Sequence, residues 1–474
     1  MLIGVDDTRS VGTGTTVITG GLVVNENETF RADIIIRNGR VGEYNVQATI
    51  AETDNHIDAT GLMVLPGVLD VHTHFREPDP NTFEGFTTGS AAAAAGGVTT
   101  VVEMPQAGPT TKNLGDFRKK IAAVGQSSTI DMALWGGIIG GDDRDEDAIR
   151  DMAKSGAVAF KSFMAASSPS FPAVDTAKLL WAMTILADFG LPYGLHAEDD
   201  ASLQAGIQRM TSAGRTDAVA HAQSRPPLVE TVAVRSAILL AERTGCWLYI
   251  CHCASADALE LIADARTRGL RITVETCPQY LAMTTNDLVR LNGFARCAPA
   301  IRDDAEVERI WDHVLHGHVD IISSDHVACS AALKEAGNSN IFDAPNGLPG
   351  VQTMLPILWD SGVKNRGLNP NRIVQMLSSN PARTFGLYPR KGSLALGSDA
   401  DLVLFDSDDA WTIRGSDMLY RQKWTPFEGK RVFGRVKRTM VRGETVYLDG
   451  APGRAEYIRH RLAGQFLHRG YGSS

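Results

Sequence analysis

Cysteine is scarce, six residues in a chain of 474. None forms a CxxC pair, and six are too few to staple a chain of this size. That excludes a disulfide scaffold and leads us to expect a reducing, cytoplasmic setting. Basic residues are in the minority, 46 Lys and Arg against 55 Asp and Glu, for a formal charge of −9. With no basic run, the chain lacks the surface that grips nucleic acid or anionic lipid. Long apolar runs are also missing, none reaching the roughly 18 residues of a membrane span. The opening MLIGVDDTRSVGTG has neither a basic nor an apolar segment, so no signal peptide is expected. There is no internal repeat, and the one low-complexity tract, Ala91–Ala95, reads as helix.

What remains is an ordinary globular composition, 43% hydrophobic and 21% charged, in a chain long enough for one large domain and one smaller one. Eight strand-like apolar runs recur: Met63–Val71, Val98–Met104, Ile130–Trp135, Ala157–Met164, Pro192–His196, Trp247–His252, Ile272–Thr276 and Val319–Ser323. Most are continuous rather than alternating, as parallel strands covered on both faces must be. Helical spacing falls between them, in Glu84–Ala95, Val174–Phe189, Leu228–Thr244 and Ser255–Arg268, the first ending at Gly96-Gly97. The alternation predicts an α/β fold, a (β/α)8 TIM barrel over 65–386. The flanks read as short strands with turns, in Thr15–Val46 and Asp399–Gly450. They predict a composite small β-sandwich domain built from both termini, residues 1–64 and 387–474, ending in an Arg-rich tail that packs on a neighbour or stays mobile.

Six polar residues stand at or just past the ends of these runs: His72, His74, Lys161, His196, His252 and Asp325. In such a barrel the chemistry sits at the C-terminal strand ends. His72 and His74, at i and i+2 of one strand, share a face and can share an ion, or can be an ordinary polar strand end. Lys161 interrupts the apolar GAVAFKSFM, where an unpaired ammonium is costly. It reads as a snorkelling lysine, as a Schiff-base or general-base lysine, or as a carbamate formed with CO2 that supplies two oxygens to a pair of ions. His196 and His252 each follow an apolar run and read as ligands or as hydrogen-bonded core residues. Asp325 reads as a ligand that also exchanges a proton, or as an N-cap for the next helix. His326 points elsewhere and reads as structural, and Cys251 and Cys253 as strand packing. Imidazole and oxygen ligands together suit zinc, and also manganese, cobalt or iron.

The phrases GLMVLPGVLDVHTHFREP, AAAAAGGVTTVVEMP, FKSFM, GLHAED, SRPPLVE, ETCPQYL, SSDH and NPARTFGLYPRKGSLALGSDADLVLFD resemble the cyclic amidohydrolases, that is allantoinases, hydantoinases (dihydropyrimidinases) and dihydroorotases. The resemblance implies a binuclear enzyme that opens the C–N bond of a cyclic ureide or imide by attack of a metal-bridging hydroxide. It implies that His72, His74 and Asp325 hold the more buried ion and that His196 and His252 hold the other. Lys161, as N6-carboxylysine, would bridge both, and Asp325 would be the catalytic base and then acid. It also implies a small-molecule substrate and a homo-oligomer, dimer or tetramer.

Three positions are expected to touch substrate: Arg76, Asn346 and Ala298. Asn346 in APNGLPG matches a hydantoinase ring contact, or is an Asn-Gly turn residue. Ala298 in RCAPAIRD stands where a serine is usual. Arg76 resembles the dihydroorotase carboxylate clamp, or forms a surface ion pair. Gln106 replaces the asparagine that normally helps that clamp, and DHVACS lacks the dihydroorotase histidine. No tyrosine comes soon after the FKSFM lysine; Phe171 is the nearest aromatic beyond that phrase. Dihydroorotase-like activity and a non-catalytic scaffold are the alternatives.

Overall fold

A computed structural model describes residues 14–51, 55–79, 83–141, 143–450 and 464–469. The first thirteen residues, and the tail apart from 464–469, lie outside the described residues. So do the expectations made for them.

Eight strands form one sheet in chain order: Val68–Thr73, Val98–Glu103, Asp131–Gly137, Ala159–Phe163, Tyr193–His196, Leu248–Ile250, Ile272–Thr276 and Ile321–Ile322. Every neighbouring pair is parallel. A parallel bridge between Thr73 and His326 brings the end of the series back to its start. This is the expected barrel, and its strands are buried on both faces, which is why their sequences run apolar without alternation.

Helices cover the outside. Thr176–Phe189 turns Leu179, Ala182, Met183 and Leu186 inward and begins where the Asp175 carboxylate accepts from the Lys178 N–H at 2.7 Å. Ser255 caps Ala256–Thr267 in the same way, and Pro227–Thr244 stops at Gly245, whose φ of 71° suits a residue without Cβ.

One expected strand is two. Met63–Val71 breaks at Gly67 into Met63–Pro66, which pairs with Leu402–Thr412, and Val68–Thr73, which enters the barrel. A Cβ at Gly67 would come within 2.1 Å of the Thr99 hydroxyl, so only glycine lets the chain pass there. Met63–Pro66 thus belongs to a six-stranded sheet that takes strands from both ends of the chain. A four-stranded sheet faces it across Ile18, Ile34, Ile36, Val64, Leu402 and Leu404.

The barrel interior is filled from below by Leu69, Val102, Trp135, Tyr249 and Ile321, together with Phe385, Leu387 and Leu467. Leu467 comes from the described part of the tail. That segment lies along the start of the third strand, with Met132 N–H donating to the Gln465 carbonyl at 2.9 Å and Leu467 N–H to the Met132 carbonyl at 2.8 Å. Burying one leucine there contributes about 2 kcal/mol.

Candidate metal centre and active site

The six polar residues converge on the C-terminal end of the barrel. His72 Nε2 and His74 Nε2 lie 3.4 Å and 3.3 Å from one oxygen of Asp325. These three side chains are placed so that one cation can be held between them. His196 Nδ1 is 3.0 Å from His252 Nε2. The His72 and His252 ring centres are 5.2 Å apart, so the two groups form one cluster. Lys161 is fully buried, its ammonium 4.3 Å from the centre of the Phe163 ring and without a hydrogen-bond partner. Its charge is felt at Asp325, His196 and His252 alike.

The side chains are aimed by carboxylates beneath them. Glu275, fully buried, accepts from His72 Nδ1, from the Tyr249 hydroxyl and from the His252 N–H at 2.9 Å. His72 therefore turns Nε2 to the site. Glu198 accepts from His196 Nε2 at 2.8 Å and from Arg225 at 3.1 Å, leaving His196 Nδ1 for the site. Glu103 accepts from the Thr73 hydroxyl at 2.7 Å and from the N–H groups of Phe75 and Arg76 at 3.1 and 2.8 Å, fixing the loop that leaves the first strand.

The backbone is forced at the same places. Arg76, His252 and Asp325 have φ of 69°, 35° and 47°, in the left-handed region that L side chains avoid. Each costs about 1–3 kcal/mol, and such strain clusters where a side chain must be aimed. Asp325 is not an N-cap, since the next helix begins only at Ala331.

Against burial, Glu275 and Asp325 hold His72 well above its ordinary value, whereas the other imidazoles follow burial. It pushes His74 down to about 3 and also lowers His196 and His252. These rings stay neutral at physiological pH, as metal ligands must. Burial opposes the charge of Asp325, but His72 and His74 outweigh it and hold the carboxyl below its ordinary value. Burial likewise opposes the charge of Glu198, yet Arg225 and His196 draw it down to about 2. Lys161 Nζ is buried at the cluster without a partner, and the Nε2 atoms of His72 and His74 crowd one Asp325 oxygen, so the donor set fits divalent cations better than it fits itself.

Of the substrate candidates, Arg76 follows His74 by two residues on the loop that leaves the first strand. The Arg76 guanidinium lies 3.7 Å over the Phe83 ring, half-buried, with Nε unpartnered. Among the described residues it makes no ion pair. Asn346 is exposed in its turn, two residues before Leu348, which bridges to His326 beside Asp325. Ala298 is partly exposed. Gln106 donates to the Ser167 hydroxyl at 2.5 Å. Phe171 packs 5.0 Å from Phe163, centre to centre. His326 turns away as expected, Nδ1 accepting from the Gly350 and Val351 N–H groups at 3.2 and 3.3 Å.

A model of the amidohydrolase family matches residues 63–446. The chain belongs to the amidohydrolase family. This amidohydrolase is 40% identical over 439 residues to an allantoinase of Rubrobacter xylanophilus, a match covering 92% of this chain and 94% of that protein. It is 36% identical over 449 residues to an L-hydantoinase of Paenarthrobacter aurescens, covering 94% of this chain and 96% of that one. Among solved structures, an L-hydantoinase (dihydropyrimidinase) from Arthrobacter aurescens superimposes with a TM-score of 0.91 at 35% identity, over 96% of this chain and 99% of its own.

Sequence reasoning missed the supporting carboxylates of this amidohydrolase. Glu103 and Glu275 carry the signal that exposed Lys161, a charge inside an apolar run, in VVEMP and TVETC. Glu198 and Glu230 were less conspicuous. Their partners Arg225 and Arg302, at 3.1 and 3.2 Å, come from other segments and leave no local mark.

Proposed function

We propose that this chain opens the ring of a five-membered cyclic ureide, allantoin or a 5-substituted hydantoin, by hydrolysing its C–N bond. The wider class is plain: this is a hydrolase of cyclic amides. The narrower reading rests on the allantoinase and L-hydantoinase relatives, aligned over more than nine-tenths of the chain. Two divalent ions, zinc first and manganese, cobalt or iron next, are assigned to the cluster. His72, His74 and Asp325 would hold one, His196 and His252 the other, and Lys161, carried as N6-carboxylysine, would lie between them. Such ions supply a Lewis acid for the ring carbonyl and hydroxide at neutral pH.

The observation that carries this reading is Lys161, an amine buried at 0% exposure with no partner. As an ammonium it is uncompensated; as a carbamate it is an anion among imidazoles and cations. Asp325, its charge held by His72 and His74, is the group to take a proton from attacking water and return it to the departing ring nitrogen. Glu275 and Glu198 hold the imidazoles in one orientation. Arg76, Asn346 and Ala298 line the approach and read the ring. Residues 65–386 make up the catalytic unit, entered through the shared strand Met63–Pro66 and floored by Leu387 and Leu467, and 1–64 with the rest of 387–474 make up the accessory one.

Zinc-, manganese- and cobalt-loaded protein should be given allantoin, hydantoin, dihydrouracil, phthalimide and dihydroorotate. Turnover of the first two is expected. If every ring stays intact while metal is bound stoichiometrically, the proposal falls. The unpartnered Nε of Arg76 favours one second reading, a ring that bears a carboxylate, and preference for dihydroorotate in the same panel would establish it. A non-catalytic scaffold has no support in a site that keeps all six side chains.

Among the described residues no helix is long and apolar enough to cross a membrane. We infer a homo-oligomer, dimer or tetramer, because Leu228, Val232 and Leu239 lie exposed along the helix Pro227–Thr244, and a cytoplasmic setting, because all six cysteines are free. Light scattering that returns the mass of a single chain would contradict it.

A further inference from the structure

Three histidines lie far from the candidate active site. His313 is on the last turn of the helix Asp304–Leu315, His316 caps it, and His318 follows Gly317, whose φ is 80°. The eighth strand starts three residues later, at Ile321. Arg266 donates to the Ile272 carbonyl at 3.0 Å and to the His318 carbonyl at 2.7 Å, tying this turn to the start of the seventh strand as well. The turn is therefore at the N-terminal end of the barrel, opposite Asp325.

His313 Nδ1 and His318 Nδ1 are 2.8 Å apart. The rings are tilted by 50° with centres 5.1 Å apart, so they meet through ring nitrogens and not through stacked faces. The backbone sets the approach, with His318 N–H donating to the His313 carbonyl at 2.9 Å. His316, exposed, has its ring centre 6.1 Å from that of His318. Its Nδ1 is engaged by the Asp312 carbonyl at 2.7 Å, which leaves Nε2 outward. The charges felt at His313 are balanced, the carboxylates of Glu260 and Asp312 standing against His318 and the guanidinium of Arg309.

A metal–nitrogen bond of about 2.0–2.1 Å places two ligating nitrogens about 2.9 Å apart at a right angle and about 3.4 Å apart in a tetrahedron. The observed spacing needs only a slight opening to meet the first. It also resembles the 3.0 Å approach of His196 and His252 inside the barrel.

We propose that His313 and His318 form a two-imidazole transition-metal site, open to solvent for the remaining ligands. Imidazole pairs take copper, nickel and zinc. An ion there pins the end of one helix to the entry of the strand whose far end carries Asp325. The proposal does not depend on the substrate.

The test uses the full chain, preloaded with zinc and titrated with Cu(II) as the probe, read by electron paramagnetic resonance and by zinc release. One further copper per chain, with nitrogen hyperfine structure and no zinc released, is expected. His313→Ala and His318→Ala should each weaken it at least as much as the roughly tenfold to hundredfold that loss of a supporting hydrogen bond costs a metal site. His316→Ala should leave it unchanged, and turnover should be unchanged throughout. Should the alanine variants fold poorly, His313→Gln and His318→Gln keep the bulk and remove the ligand. Copper uptake with the same spectrum in wild type and in the doubly substituted chain would overturn the proposal. So would copper that enters only by displacing zinc.

Discussion

Lys161 and Lys391 are both fully buried, at 0% exposure, and serve opposite ends of one barrel. Lys391 is surrounded: Asp131, Asp401 and Asp399 lie 2.5, 2.7 and 3.0 Å from its ammonium. Burial opposes its charge, yet the three carboxylates hold it well above the ordinary lysine range. Asp131 also takes Arg442 and, at 2.8 Å, the Gln465 N–H. Lys161 has no such company. A buried lysine with a full set of anions is architecture; one with none awaits something the chain does not supply.

The largest break in that comparison is expected from Lys161→Ala. It should lower kcat by on the order of 10^4-fold without loss of thermal stability. A fall of less than about tenfold would make the two lysines equivalent. Lys391→Met should do the reverse. Stranding three carboxylates costs about 3–5 kcal/mol in urea unfolding, while the folded fraction keeps its turnover.

The next effect is on pH. Burial lifts the Glu230 carboxyl to about 7 from an ordinary 4.5, against the pull of Arg302. Between those values the folded chain keeps a proton that the unfolded chain has released. Stability is then fully present below the lower value and falls as pH rises through the upper one, by up to about 3 kcal/mol. Urea midpoints taken from about pH 5 to about pH 8 should show the decline, and Glu230→Gln should flatten it. The smallest effect is expected at Arg76→Lys. KM should rise about tenfold with kcat kept, since an ammonium cannot reproduce a flat two-pronged donor.

The same contrast explains what could be read from the sequence. The eight apolar runs gave the barrel because strands covered on both faces leave a continuous signature. Lys161, His72 and His74 stood out because polar groups in such runs are conspicuous. The lower network left no such trace. Lys391 meets Asp131 across 260 positions, and only the closed fold brings them together. The break at Gly67 was hidden by the apolar residues on either side. Glu275 had a legible signal, but its task, turning two imidazoles at once, depends on a neighbouring strand.

The seal beneath the barrel has a consequence for biosynthesis. Gln465 and Leu467, which close the floor beside Met132, come late in the chain, Gln465 lying 334 positions beyond Asp131. Domains generally begin to fold from the N-terminal side while the ribosome is still at work. This barrel therefore cannot seal its base until residues 465–467 have been made. An early stop codon would leave a vessel with most of its reactive furniture in place and its bottom open to solvent.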